Sequence, residues 1–127
     1  MPVLRHGIDL VECSRIADVL SRHGARFLDR VLTPSEQERA KAYRDAVPFV
    51  AGRWAAKEAI LKMIGTGWRG KISWTDIEIL SDPLGQPLVR LTGEVQRIAA
   101  ARGVSNVLLS ITHTQQHAAA SAIGIGP

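Results

Sequence analysis

The sequence predicts a single α+β domain in which helices pack on an antiparallel sheet. The chain has 127 residues, the size of one domain, and it contains no repeat, low-complexity segment or Pro/Gly/Ser linker that would divide it. Segments with strand character flank segments with helical character in the order β, helices, ββ, α, ββ, and short polar turns join the paired strands. We therefore expect residues 1–127 to share one core, built around one long buried helix.

The N-terminal third predicts one strand and two helices. Val3–Glu12 is rich in apolar and β-branched residues, which is typical of a strand. Ser14 is then expected to cap a helix that runs to about Ser21. A second helix should begin at Pro34, because the segment Thr33–Glu36 combines a favoured N-cap, a proline at the first helical position and the glutamate of a capping box.

The long helix is the central element of the prediction. It should run from Pro48 to about Ile64 and end at Gly65, where the Gly-Thr-Gly sequence favours a left-handed cap or a tight loop. The elements predicted after it are a hairpin of strands Ile72–Leu80 and Leu88–Leu91 joined by a turn at 82–87, a helix over Gly93–Arg102, and strands Val107–Thr112 and Ala118–Ile125.

The composition indicates a folded protein without a membrane segment. Hydrophobic residues make up 46% of the chain and charged residues 22%, which is far from a disordered composition. No run approaches the roughly 18 apolar residues that span a bilayer, and the N-terminus lacks the features of a signal peptide. We therefore expect a cytoplasmic protein that does not bind membranes, and the single cysteine, Cys13, fits a reducing compartment.

The charge balance indicates an anionic partner. The net charge is +4 and the isoelectric point about 9.8, which suits a phosphorylated metabolite, an acidic protein or a nucleic acid. However, the basic residues are not clustered in one stripe, and the few aromatic residues are not interleaved with them as base stacking would need. We therefore expect no nucleic-acid partner.

Four charged residues interrupt the otherwise apolar long helix. Arg53 and Lys57 are four residues apart and share one side, whereas Glu58 and Lys62 share another side, about 140° round the helix. One interpretation is that all four are paired or snorkelling charges on a half-buried helix. The other is that the helix carries two polar edges that serve a functional site.

Asp9 favours the second interpretation. It lies in the middle of the first predicted strand, where aspartate is depleted. An aspartate on a strand facing Glu58 on a helix would place two hard oxygen ligands around Mg²⁺, which takes one or two carboxylates and completes its octahedron with water and phosphate oxygens. Lys62, one turn beyond Glu58, would then lie where a phosphate could bind.

Four strings resemble, in order and spacing, the holo-acyl-carrier-protein synthase family of 4′-phosphopantetheinyl transferases. They are GIDLVE from Gly7, FVAGRWAAKEAILKMIGTG from Phe49, DPLGQP from Asp82 and SITHT from Ser110. The resemblance covers essentially the whole chain and implies the 4′-phosphopantetheinyl transferase fold. Two departures are Arg5, where the family often has glycine, and Trp54, where it usually has phenylalanine. Neither departure affects a carboxylate, but both affect local packing and the entrance to the site.

The resemblance implies a Mg²⁺-dependent transfer of the 4′-phosphopantetheine arm of coenzyme A to a serine of acyl carrier protein, with adenosine 3′,5′-bisphosphate as the second product. By matching position, Asp9 and Glu58 would hold Mg²⁺ and Lys62 would contact the phosphate on which charge develops. The general base is either Glu58 itself or a metal-bound water whose proton Glu58 takes up. The residues do not distinguish these two alternatives.

The resemblance also implies coenzyme A contacts and a homotrimer with each active site at a subunit interface. Arg53 and Lys57 would bind the nucleotide phosphates or serve a neighbouring subunit. His113, with Thr112 beside it, would lie near the coenzyme A phosphates or adenine across that interface, and Gly65 would contact the same substrate. A helix that serves two subunits explains how it can be buried and still carry charges on two sides.

Basic residues on or just after the first helix are candidates for docking an acidic acyl carrier protein. Arg15 and Arg22 are seven residues apart and therefore share one face, and Arg26 follows them. A solvated helix face is the alternative for all three. In the family, the carrier protein docks on a basic first helix, which makes Arg15 the first candidate.

Two other classes of function compete with the transferase. The first is a non-catalytic module that binds coenzyme A or another nucleotide, but the intact set of Asp9, Glu58 and Lys62 argues against it. The second is a basic RNA-associated protein, which the scattered positive charge disfavours.

Overall fold

A computed structural model of the chain describes residues 1–66 and 71–127 and confirms the α+β class. The elements are strands β1 to β5 and helices α1 to α5. In chain order they are β1 Val3–Glu12, α1 Cys13–His23, α2 Ala25–Val31, α3 Pro34–Ala40, α4 Val47–Ile64, β2 Ile77–Ser81, β3 Pro87–Leu91, α5 Gly93–Ala101, β4 Asn106–His113 and β5 His117–Ile125.

The strands form two antiparallel sheets. The larger sheet has three strands in the order β1-β5-β4, and the smaller one is the predicted hairpin of β2 and β3. In the larger sheet, Asp9 of β1 lies opposite Ala120 of β5, which in turn lies opposite Ile111 of β4. This register fixes which residues of β5 and β4 are level with Asp9.

Helix α4 packs on one face of the three-stranded sheet and contacts all three strands. Its alanines, isoleucines and leucines fill the core, so that even the polar residue Lys57 is fully buried. It ends as the sequence predicts, at Gly65, which has a left-handed φ of 85°. Gly67, the last residue of the motif string, lies outside the described residues.

Three local predictions need correction. The sequence does not predict helix α2, because its N-cap residue, Gly24, has no side chain to cap it. Ser14 lies inside α1 and does not cap it, since the N-cap position is Glu12, again without a capping side chain. The strand predicted from Ile72 begins only at Ile77, because Trp74–Asp76 forms a single 3₁₀ turn.

The Thr33 capping box of α3 is confirmed, with both reciprocal bonds present.

Among the described residues, no helix is long and apolar enough to cross a membrane.

Candidate active site

The site is built where β1 crosses α4, and Gly7 makes this crossing possible. A Cβ atom at Gly7 would overlap the carbonyl oxygen of Ala59 and lie 2.5 Å from the backbone nitrogen of Met63. Only glycine lets the two backbones approach so closely. Gly7, the first residue of the GIDLVE string, therefore brings Asp9, two residues further along β1, next to the charged side of α4.

Asp9 and Lys62 are joined by an ion pair at this crossing. The Lys62 ammonium donates to Asp9 Oδ1 at 2.9 Å and to the carbonyl oxygen of Ile8 at 3.3 Å. The Asp9 side chain is 13% exposed and that of Lys62 is 53% exposed. The carboxylate is therefore held in place, whereas the ammonium can turn into solvent.

Glu58 is the second carboxylate of the site and is half-buried. Burial raises the pKa of Glu58, and the nearby Asp9 carboxylate raises it further, while the positive charges of Lys62 and Arg15 offset part of the rise. These effects show that all four groups share one electrostatic environment. A carboxyl with a raised pKa is a better proton acceptor at neutral pH than an ordinary one.

The donor set fits a hard divalent cation that is only partly enclosed by protein. Among residues 1–66 and 71–127, no group of three or more His, Cys, Asp or Glu side chains could hold a metal ion. Two carboxylates that repel each other across a shared space, as Asp9 and Glu58 do, are nevertheless the protein contribution that Mg²⁺ usually has when phosphates supply further oxygens. The residues present therefore fit Mg²⁺ with a phosphate-bearing substrate.

An aromatic wall borders Glu58, and the sequence analysis missed it. A cavity of about 310 Å³ is lined by Phe27, Arg30, Val31, Trp54, Glu58 and Trp74. Trp54 stacks on Trp74 at a centroid distance of 4.5 Å and on Phe27 at 5.7 Å. Trp54, the departure from the usual phenylalanine, is thus part of the wall beside the carboxylate. Only the position of Trp54, one turn before Glu58, could have indicated this wall.

Arg53 lies on a different side of α4 and is 8% exposed. Its guanidinium packs over the Phe49 ring at 4.4 Å, and its Nε has no hydrogen-bond partner among the described residues. Burial lowers the pKa of Arg53, and the nearby Arg39 adds to this effect, while Glu36 and Tyr43 oppose it. A buried, incompletely bonded guanidinium is a plausible partner for an anion.

Lys57 does not share that role, which corrects the prediction that it binds nucleotide phosphates or serves a neighbouring subunit. Its ammonium is fully buried, donates to Glu36 Oε1 at 2.7 Å and donates to the Val31 carbonyl at 2.6 Å. The other Glu36 oxygen accepts from the backbone N–H of Ile79. Lys57 therefore ties α4 to α2, α3 and β2, and it has no free face for a ligand.

Gly65 and Arg5 lie together at the C-terminal end of α4. Arg5 donates from Nε to the Met63 carbonyl at 2.8 Å, and its Nη2 would be 2.6 Å from a Cβ on Gly65. The guanidinium thus satisfies one of the last carbonyls of the helix and opposes the negative end of its dipole. Arg5, the other departure from the family pattern, therefore has a structural function at the C-terminal end of α4.

Thr112 and His113 lie apart from the cluster of Asp9, Glu58 and Lys62. Both are exposed near the end of β4, two strands away from β1, which is a separation of roughly 10 Å. His113 points to the same face of the sheet as α4, whereas Thr112 points to the opposite face, because Ile111 is the residue level with Asp9. Within one chain the structure does not bring them into the site.

The three arginines proposed for docking are all exposed, but their surroundings differ. Arg15 is close enough to Glu58 for its charge to lower the pKa of that carboxyl. Arg22 pairs with Asp18 at 3.3 Å on the helix surface. Arg26 lines a shallow cleft with His23, Phe27 and Arg30.

Comparison with known proteins gives a consistent result. A model of the 4′-phosphopantetheinyl transferase superfamily matches residues 5–122. The holo-[acyl-carrier-protein] synthase of Desulforudis audaxviator is 46% identical over 125 residues, 98% of this chain and 95% of that protein. That of Koribacter versatilis is 43% identical over 121 residues, 95% of this chain and 97% of the relative.

Solved structures are similar over the same length. The crystal structure of holo-[acyl-carrier-protein] synthase from Neisseria meningitidis has a TM-score of 0.89 and 31% identity, covering 98% of this chain and 99% of that one. The enzyme of Bacillus anthracis, solved in complex with CoA (3′,5′-ADP), has a TM-score of 0.82 and 34% identity, covering 98% of each chain.

Proposed function

Because the chain belongs to the 4′-phosphopantetheinyl transferase superfamily, we propose that Asp9, Glu58 and Lys62 carry its reaction at the crossing of β1 and α4. The chain is a holo-[acyl-carrier-protein] synthase that transfers the 4′-phosphopantetheine group of coenzyme A to a serine of apo acyl carrier protein. The products are the holo carrier and adenosine 3′,5′-bisphosphate. The observation that carries the assignment of residues is the convergence of two carboxylates and one ammonium at this crossing.

The reaction forms a bond between the serine oxygen and a pyrophosphate phosphorus and breaks the bond from that phosphorus to the bridging oxygen. Asp9 and Glu58 would hold Mg²⁺, which as a bound Lewis acid would neutralise charge on the pyrophosphate. Glu58 would accept the serine proton, directly or through a water, and its raised pKa suits this role. The half-exposed Lys62 ammonium would bind an oxygen of the transferred phosphate.

Arg53 supports a nucleotide contact on the other side of α4. Its buried guanidinium has a hydrogen-bonding atom without a partner among the described residues. A phosphate of coenzyme A would supply an acceptor for that atom. Gly65, in the left-handed conformation at the end of α4, would let the substrate approach the backbone.

A homotrimer is supported by the outer face of the three-stranded sheet, which α4 leaves uncovered. Ile8 and Leu10 of β1 are 61% and 66% exposed, and Leu108 of β4 on the same face is 51% exposed. An apolar face of this kind usually marks an interaction site. Assembly would also bring Thr112 and His113, which are remote from the site of their own chain, to a neighbouring one.

The carrier protein is proposed to dock beside Glu58 through Arg15, with Arg22 and Arg26 further along the same basic surface. The exposed positions of these residues and the effect of Arg15 on Glu58 support this placement, because the attacking serine must reach the carboxylate. Complementary charge would guide an acidic partner to this surface. A cytoplasmic location agrees with Cys13, which is buried as a free thiol.

Incubation with apo acyl carrier protein, coenzyme A and Mg²⁺, followed by mass spectrometry of the carrier, tests the function. We expect the carrier to gain the mass of one phosphopantetheine with the wild type. Asp9→Asn and Glu58→Gln should abolish the gain, whereas the surface control Glu38→Gln should retain it. Binding of coenzyme A without any gain of mass by the wild type would instead favour a non-catalytic binding module.

A further inference from the structure

Lys62 occupies a position that a metal ion would need. Its ammonium lies 2.9 Å from Asp9 Oδ1, so a cation of the chain itself neutralises one of the two proposed ligands. Asp9 is only 13% exposed, and one oxygen of its carboxylate is already bonded to this ammonium. The other proposed ligand, Glu58, is affected by the charge of Lys62 but also by that of Arg15.

We propose that Lys62 competes with the divalent cation for Asp9, so that the protein binds the cation more tightly once the pyrophosphate of the donor has drawn the Lys62 ammonium away. This inference rests on the proposed function, because it uses the same carboxylates and the same donor. It adds an order of events that neither the fold nor the similarity to other proteins specifies.

The geometry allows Lys62 to make this exchange. Its side chain is 53% exposed, so the ammonium can leave Asp9 without disturbing the core. Its only hydrogen-bond acceptors among the described residues are Asp9 and the carbonyl oxygen of Ile8. A pyrophosphate offers more negative charge than one aspartate, and lysine binds phosphate as a mobile point charge.

Competition has a reciprocal consequence. If the donor raises the affinity for the cation, then the cation raises the affinity for the donor by the same factor. Part of this coupling arises from direct contact between cation and pyrophosphate, and the release of Asp9 by Lys62 adds the rest. Removing Lys62 should therefore tighten cation binding in the absence of donor and reduce the factor by which donor improves it.

Simple repulsion between Lys62 and the cation would also weaken cation binding, and Arg15 separates the two explanations. Arg15 acts on Glu58 through its charge, but among the described residues it forms no hydrogen bond or ion pair with Asp9. Arg15→Met removes a positive charge near Glu58 but leaves the ion pair between Lys62 and Asp9 in place. Lys41→Met, which breaks only a surface pair with Glu38, controls for net charge.

The test is a titration with Mn²⁺ followed by electron paramagnetic resonance, with and without coenzyme A. Without coenzyme A, we expect Lys62→Met to bind Mn²⁺ roughly three- to fivefold more tightly than the wild type, the effect of one partly exposed ion pair. The affinity for Mn²⁺ should increase clearly less in Arg15→Met, and it should not change in Lys41→Met. Lys62→Arg, which keeps the pair with Asp9, should remain as weak as the wild type.

A Lys62→Met variant that binds Mn²⁺ no more tightly than Arg15→Met would overturn the competition. The competition would also be overturned if coenzyme A improved Mn²⁺ binding by the Lys62→Met variant by the same factor as in the wild type. The titration needs no turnover, and transfer by the wild type, measured by mass spectrometry on the same preparation, reports separately on the proposed function.

Discussion

Gly7 of β1 lies so close to Ala59 of α4 that a methyl group on the glycine would overlap the alanine carbonyl oxygen. This contact sets the distance between the strand that carries Asp9 and the helix that carries Glu58. Gly7 is therefore a packing element that positions Asp9, one of the two proposed metal ligands. The placement of Asp9 beside Glu58 and Lys62 depends on it.

Gly7→Ala should destabilise the protein and impair transfer. The added methyl meets backbone atoms that cannot rotate away, so a loss of roughly 1 to 3 kcal/mol in the free energy of unfolding is expected. Denaturant unfolding and the transfer assay measure the two effects. Gly52→Ala is the contrast, because its Cβ would meet only one side-chain atom of Ile111, at 3.2 Å, and we expect a change within about 1 kcal/mol. Equal tolerance of both substitutions would contradict this account.

Lys57→Met tests whether this lysine stabilises the fold or binds phosphate. Removing one partner of a fully buried pair leaves the Glu36 carboxylate without its cation, which costs about 3 to 5 kcal/mol. Adding Glu36→Gln should restore part of the stability, while Lys41→Met at the surface should change the free energy of unfolding by less than about 1 kcal/mol. If Lys57→Met unfolds like the wild type but loses affinity for coenzyme A, the phosphate role is restored.

Glu58→Gln should stabilise the metal-free protein at neutral pH. The pKa of Glu58 in the folded state is raised above its ordinary value of 4.5, so the folded state binds the proton more strongly than the unfolded state. The stability of the wild type therefore falls as the pH rises from about 4.5 through the raised pKa. The Glu58→Gln variant has no carboxyl group at this position and does not lose stability in this way. In EDTA we expect a gain of less than about 1 kcal/mol at pH 7, since Glu58 is partly exposed, and no gain well below pH 4.5.

Thermal unfolding at both pH values, with Glu38→Gln as the control, measures the effect of Glu58. A variant less stable than the wild type at pH 7 would mean that the Glu58 carboxylate is favourably paired in the free protein.

Leu10→Glu should dissociate the proposed trimer without unfolding its subunits. Leu10 is 66% exposed in the single chain, so the charge has a small effect on folding but would be buried in an assembly. Light scattering coupled to size-exclusion chromatography should show a shift from trimer to monomer, with loss of transfer. Leu84→Glu, at a position that is 88% exposed in the β2–β3 turn, is the control. A wild type that is fully active as a monomer would rule out the shared site.

Arg15→Glu should reduce kcat/KM for the carrier protein, by about tenfold at low salt, because reversed charge slows encounter with an acidic partner. The KM for coenzyme A should change little, and added salt should narrow the difference from the wild type. Arg102→Glu makes the same reversal at the end of α5 and should leave both constants unchanged. An equal loss for both substrates would place Arg15 in the nucleotide site instead.

The sequence predicted those parts of the structure that local signals determine. The Thr33 capping box, the left-handed end of α4 at Gly65 and the apolar, β-branched composition of β1 are each signals carried by neighbouring residues. The association of Asp9 with the Glu58 and Lys62 edge followed from the unusual position of an aspartate in a strand and from motif resemblance.

The parts that could not be predicted depend on contacts between distant segments. The partner of Lys57 is Glu36, which is 21 residues away, and no local pattern indicates that the start of α3 folds over the middle of α4. The aromatic wall is similar, since Phe27 and Trp74 meet at Trp54 only after α2 has packed. Helix α2 itself has no capping side chain at its start, and it is held by Phe27, Leu28 and Val31, which pack in or against the core.

The burial of α4 also determines how the site can be lost. Most residues of its central turns are buried, and the helix contacts all three strands of the larger sheet. Its amide hydrogens are therefore shielded from solvent unless the whole fold opens, whereas helices near the surface can open locally. We therefore expect the backbone amides around Glu58 to belong to the slowest-exchanging class, so that the carboxylate keeps its place in partly open forms of the protein in which α4 remains packed.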